Sequence, residues 1–190
     1  MNTNITNYIK SSIETKELIL SNTLLISKIS EVSKKIIESY KSGKKVLLAG
    51  NGGSAADAQH IAAELVSKFS IERTALNAIA LTTNTSILTA VGNDYNHDYI
   101  FSRQIEAYGN NEDIFIAIST SGNSKNIIKS IETAKQKELF VIGLTGNKSC
   151  QMDNLCDCVI KVPSDKTPII QESHIMIGHI ICEIVEKELF

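Results

Sequence analysis

Apolar positions recur at helical spacing through the first forty residues. Ile5, Tyr8, Ile9, Ser12 and Ile13 form one stripe, and Leu25, Ile29, Val32, Ile36 and Tyr40 form another. Ser21-Asn22 predicts a break between two helices, and Gly43 a stop for the second. These helices carry no cluster of catalytic residue types, and their broad apolar stripes predict packing on the domain or on a partner subunit. From Lys45 the pattern changes. Short apolar runs, 46–49, 78–81, 114–118, 140–144 and 159–162, alternate with helix-like stretches near 54–69, 84–107, 124–138 and 149–155. A last helix is expected over roughly 168–189, with Pro163 and Pro168 flanking the loop before it. Strands that are apolar on both faces and separated by helices predict an α/β fold with a parallel, helix-covered sheet.

With 190 residues the chain reads as one domain over 1–190, with 1–42 as an N-terminal helical extension. A net charge of −2 argues against a nucleic-acid binder that works through bulk charge, though not against a small basic patch. No apolar run approaches the ~20 residues of a membrane helix. The polar start, Met1 to Lys10, carries no signal-peptide pattern, which predicts a cytoplasmic protein. Cys150, Cys156, Cys158 and Cys182 do not have zinc-ribbon spacing. They read as small buried hydrophobes in a reducing compartment, with a redox or metal role as the alternative.

In an open parallel sheet, ligands bind beyond the carboxyl ends of the strands. That draws attention to the loops after Ala49, Leu81, Ile118 and Leu144. The first is Gly50-Asn51-Gly52-Gly53-Ser54 before a helix. Its glycines let backbone N–H groups approach an anion, yet a tight strand-to-helix turn would have the same composition. Another is Ser119-Thr120-Ser121-Gly122-Asn123-Ser124, again between strand and helix. Its hydroxyls and helix start suit a phosphate monoester. Ser124 could instead cap the helix, which would explain one hydroxyl of the four.

Chemistry-bearing side chains sit on two helices. His60 and Glu64 stand four apart and share a face, as an ordinary surface pair or as half of a zinc site. The last helix carries Gln171, Glu172, His174 and His179. Gln171 and His179 lie roughly 80° apart around that helix and ~12 Å along it, so one straight helix strains to bring both to one metal ion. A bend near Gly178, long side-chain reach or a second subunit would resolve this.

A Ser-Thr-Ser-Gly-Asn-Ser loop after the third strand, with Gly-Asn-Gly-Gly-Ser after the first, resembles the sugar isomerase (SIS) domain family, and within it the phosphoheptose isomerases. The resemblance covers nearly the whole chain. It implies a five-stranded parallel sheet of flavodoxin-like type with helices on both faces, and a homotetramer with active sites at subunit interfaces. It implies conversion of sedoheptulose 7-phosphate to D-glycero-D-manno-heptose 7-phosphate through an enediol, supplying heptose to lipopolysaccharide or another surface polysaccharide. No nucleotide cofactor is expected. By the same resemblance His60, Glu64, Gln171 and His179 form a site for one zinc per subunit. Glu64 and His179 are the proton-transfer pair, with Glu64 as base. Asn51, Gly52 and Gly53 contact the sugar, as do Glu64 and Gln171. Ser119, Thr120, Ser121 and Ser124 hold the phosphate, and Asn93 and Asp94 meet substrate hydroxyls. Read without the family, Asn93-Asp94 is a solvated turn. His97 and His174 read as structural or peripheral.

Two other functions compete. A non-catalytic SIS-domain tetramer that binds a protein partner, such as a replication initiator, would have no need of Glu64 and His179. A phosphosugar-sensing regulator would need a DNA-binding segment, for which 190 residues leave little room.

Overall fold

A computed structural model describes residues 2–190. Five parallel strands form its sheet: β1 (Val46–Gly50), β2 (Ala78–Ala80), β3 (Ile114–Ile118), β4 (Phe140–Thr145) and β5 (Cys158–Lys161), in the order β2-β1-β3-β4-β5. Val46 pairs with Ala78 on one side and Ile114 on the other, and Ile114 pairs with Phe140. β1 and β3 are buried along their whole length, as strands covered on both faces must be. Side chains alternate between two cores. Val46, Leu48, Ile116, Ile118 and Leu144 pack against α2 (Thr23–Lys41), α3 (Gly53–Val66) and α8 (Thr167–Leu189). Leu47, Ala49, Phe115, Ala117 and Val141 pack under α4 (Thr85–Asp94), α5 (Ser102–Tyr108), α6 (Lys125–Gln136) and the short α7 (Met152–Leu155). Each large aliphatic side chain so buried contributes roughly 1.5–3 kcal/mol. Of the N-terminal helices, α2 enters the first core through Leu25, Ile29, Val32 and Ile36. α1 (Asn2–Ser21) reaches that core only through Ile19, with Thr15 its other buried residue.

Local chemistry sets the helix ends. The break at Ser21-Asn22 is an N-cap, the Asn22 side chain accepting from the Leu25 N–H at 3.0 Å. The stretch expected as one helix over 84–107 is two. Asn96 adopts extended backbone, and its side chain accepts from the Asp98 N–H at 2.8 Å. This local turn competes with the helix, and a 3-10 turn (His97–Tyr99) separates α4 from α5. α3 ends at Val66 rather than 69 because the N–H groups of Phe69, Ser70 and Ile71 turn toward Glu186 of α8. α7 is shorter than 149–155, Cys150 N–H being held by the Asp153 carboxylate at 3.0 Å.

α3 and α8 lie side by side and run in the same direction. Gly53 stands against Gln171, Ile61 against Gly178, and the segment just past α3 against Glu186. This register also brings His179 level with His60.

Candidate active site

The chain leaves β1 toward β2 on one side and leaves β3 toward β4 on the other, so the order reverses between β1 and β3 and a crevice opens beyond their carboxyl ends. Both candidate anion loops rise from these strands. They are tied together by two amides. Asn51 Nδ2 donates to Asn126 Oδ1 at 2.9 Å, and Asn126 Nδ2 donates to Asn51 Oδ1 at 2.8 Å. His97 Nδ1 lies 3.5 Å from Asn126 Nδ2, which brings this histidine to the edge of the crevice. Asn126 escaped the sequence reading. Its signal was spacing: Asn126, Ser130 and Ala134 recur every four residues on the buried side of α6.

In the second loop, Ser119 Oγ lies 3.4 Å from Ser121 Oγ and 3.1 Å from Ser124 Oγ. The Gly122 N–H donates to Ser119 Oγ at 3.2 Å. Ser124 occupies the N-cap position of α6, but its hydroxyl makes no capping bond and turns to the serine cluster. Gly122 is required here, since its φ is +64° and a Cβ would stand 2.2 Å from Cys150 Sγ. Thr120 and Ser121 open onto a cavity of about 260 Å³, also lined by Asn147, Lys148 and Asp165. Clustered hydroxyl donors beside a lysine make a cradle for a phosphate group. Lys148 also escaped the sequence reading, although Gly146-Asn-Lys-Ser149 follows β4 at the ligand-binding end of the sheet.

The second constellation lies further along α3 and α8. His60 Nε2 is 3.1 Å from Glu64 Oε1, as the spacing of four predicts, and 3.3 Å from His179 Nε2. The two rings meet edge to face, with centroids 4.9 Å apart. The ligand-type atoms of His60, Glu64 and His179 all lie within 4.8 Å of one another. Two imidazoles and a carboxylate converging from two helices are a donor set suited to a divalent cation, and the facing nitrogens fit a shared positive centre. Glu64 is half-buried among these neighbours rather than turned to open water. One turn earlier, Asp57 carries a buried Oδ2 without a hydrogen-bond partner. Burial pushes its pKa up to about 6, against the pull of nearby His60.

One chain does not put the expected constellation in a single place. Gln171 sits with its amide against Gly53, where a Cβ would lie 2.6 Å from Nε2. It is two turns away from His179 on α8. Glu64 follows Gly53 by eleven residues, about 16 Å of axial rise, so its carboxylate is far along α3 from the glycine loop of its own chain. Asn93 and Asp94 end α4 exposed, Asn93 Nδ2 donating to Asp94 Oδ1 at 2.9 Å and to neither loop.

His174 is fully buried. Its Nε2 pairs with the Thr145 carbonyl at 3.2 Å and its Nδ1 has no partner. Burial lowers its pKa to about 4, opposed by the bond to Thr145, so the ring is neutral near pH 7. The four cysteines are free thiols, and burial raises the pKa of each, in Cys156 and Cys182 to about 12. None is placed to act as a thiolate nucleophile.

Comparison with known proteins gives a consistent answer. The SIS domain family matches residues 7–146. A phosphoheptose isomerase from Aneurinibacillus thermoaerophilus is 57% identical across 100% of this chain and 96% of its own length. Phosphoheptose isomerase 2 of Campylobacter jejuni is 58% identical across 98% of this chain and 95% of its own. Among solved structures, a phosphoheptose isomerase from Francisella tularensis superimposes with a TM-score of 0.94 at 39% identity, covering 97% of both chains.

Proposed function

The chain belongs to the SIS-domain family and, within it, to the phosphoheptose isomerases, and on that premise we propose that it converts sedoheptulose 7-phosphate to D-glycero-D-manno-heptose 7-phosphate. The observation that carries this reading is the meeting of His60, Glu64 and His179 beside one another on α3 and α8. An aldose–ketose isomerisation needs a base at two adjacent carbons and a partner that moves protons on their oxygens. Glu64 takes the proton from C1 of the ketose while protonated His179 gives one to the C2 oxygen, leaving an enediol across C1 and C2. The hydroxyl on C1 then gives up its proton to His179 as the new carbonyl forms, and the carboxylic acid of Glu64 returns its proton to C2. Atoms and electrons balance without a redox cofactor.

His60, Glu64 and His179 fit a zinc ion, with Gln171 the fourth expected ligand, and such an ion when bound would supply positive charge to the sugar oxygens. The serine loop receives the phosphate. The axial separation along α3 between Gly53, in the glycine loop, and Glu64 supports a site completed by a second copy of the chain, in a homotetramer. The product would supply heptose to lipopolysaccharide or a related surface polysaccharide.

The test is incubation with sedoheptulose 7-phosphate, with and without chelator, followed by NMR for the aldose. Glu64→Gln is expected to lower turnover by roughly a thousandfold or more, the scale of losing a general base, while substrate binding stays measurable by calorimetry. Wild-type turnover in that variant, or no aldose from the parent chain, defeats the reading.

A further inference from the structure

The segment between α3 and β2, Ser67-Lys-Phe-Ser-Ile-Glu-Arg-Thr-Ala75, has no regular structure of its own and is held by one carboxylate. Glu186, near the end of α8 and 1% exposed, accepts the backbone N–H groups of Phe69 at 2.8 Å, Ser70 at 2.7 Å and Ile71 at 3.1 Å. It also accepts the Ser70 hydroxyl at 2.9 Å and Arg73 Nε at 2.8 Å. The Arg73 fork continues the chain of contacts. Nη2 donates to the backbone carbonyl of Glu64 at 2.8 Å, and Nη1 to that of Leu65 at 2.9 Å. The Phe69 ring stands 5.8 Å from the ring of His179.

We infer that Glu186, Arg73 and Phe69 are positioning residues for the proton-transfer pair. One buried carboxylate holds an aromatic ring against His179 and a guanidinium against the backbone of Glu64, and so sets the distance between the two reactive side chains from behind. The inference rests on the isomerase reading above. Stability alone explains the arrangement poorly, because a buried ion pair is often replaceable by apolar residues of similar volume at no loss. Its geometry is better explained by where the contacts end: one on each helix, next to each of the two groups that handle protons. Burial would raise the Glu186 pKa, but the N–H groups of Phe69, Ser70 and Ile71 and the Ser70 hydroxyl outweigh it and bring it down to about 2. The clamp therefore stays charged wherever the enzyme is assayed, and a changed pH profile would report on the groups it holds.

The test compares kcat, KM and the pH profile of kcat/KM for Phe69→Leu, Arg73→Lys and Glu186→Gln with the parent chain, each after a thermal melt. Phe69→Leu and Arg73→Lys are expected to fold and to lose about tenfold or more in kcat with KM held within about twofold, as a misplaced catalytic group does. One limb of the pH profile should also move. A smaller folded fraction would scale the profile at every pH and leave its limbs where they were. Glu186→Gln should show the largest effect, and if it fails to fold the other two variants decide. Folded Phe69→Leu and Arg73→Lys proteins with the parent's kcat and profile, or a loss with unmoved limbs, overturn the inference. If the parent chain itself turns over no sugar phosphate, the isomerase reading falls separately. Zinc affinity of the parent and of Phe69→Leu by calorimetry then decides for the clamp, equal affinities overturning it.

Discussion

Asp57, like His174, holds a buried polar atom that finds no partner. One of its oxygens is buried without a partner, and its folded pKa is raised from 3.8 to about 6. A carboxyl raised in this way contributes its stability below the unfolded pKa and loses it as pH rises through the folded value. Near neutrality the folded protein thus carries an ionised, poorly solvated group. Asp57→Asn should raise the melting temperature at pH 7.5 and leave it unchanged at pH 4, measured by calorimetry with chelator present. Equal melting temperatures at pH 7.5 would show that the carboxylate finds solvent or a counter-charge. The pairing of His60 with Glu64 was legible from the sequence because a spacing of four on a helix is a local rule, whereas His179, 119 residues from His60, was joined to them only by the family resemblance. Asn126, Arg73 and Glu186 were not, because their partners lie 75 to 117 residues away and no local period encodes such pairings.

At the level of elements, the strands were readable to within a residue or two, since β1 and β3 are unbroken apolar runs flanked by glycine or polar turns. The helix ends were less so. Asn96 interrupts an otherwise helical stretch through a side-chain turn, and α3 stops early because a distant carboxylate captures the next three N–H groups. The parallel contact of α3 with α8 could not be read from either helix alone, yet it decides which side chains meet. Gly53 is its tightest point near the loops. The neighbour there is the tip of a flexible side chain, so Gly53→Ala should change stability by less than about 0.5 kcal/mol. The methyl group would push the Gln171 amide aside, however, and turnover should fall about tenfold if that amide touches substrate or metal. A folded Gly53→Ala protein with full activity would remove Gln171 from the site.

The whole molecule presents an apolar face that one chain leaves uncovered. Leu20 and Leu24 are mostly exposed, as in part are Ile5, Ile9, Ile13 and Ile180. A groove of about 440 Å³ runs between α1, α2 and α8, lined by Ile19, Leu20, Ile26, Met176, Ile180 and Ile184. Of the two stripes expected to pack on the domain or on a partner subunit, Ile5, Tyr8, Ile9 and Ile13 lie on this exposed face, whereas Leu25, Ile29, Val32 and Ile36 pack into the core. The groove's wall on α8 includes Ile180, the residue next to His179, so a second copy docking there would arrive beside the His60, Glu64 and His179 cluster. No helix among the described residues is long and apolar enough to cross a membrane.

The distance along α3 between Gly53, in the glycine loop, and Glu64 bears on how such an assembly could be taken apart and put back. If each working centre borrows its anion grip from one chain and its base from another, damage to the two halves need not fall on the same centre. A preparation of Glu64→Gln and a preparation of Ser119→Ala, each inert alone, should regain up to about a quarter of full turnover when unfolded together and refolded as a mixture. Continued silence of the mixture, with hybrid assemblies verified by mass spectrometry, would mean that every chain serves itself.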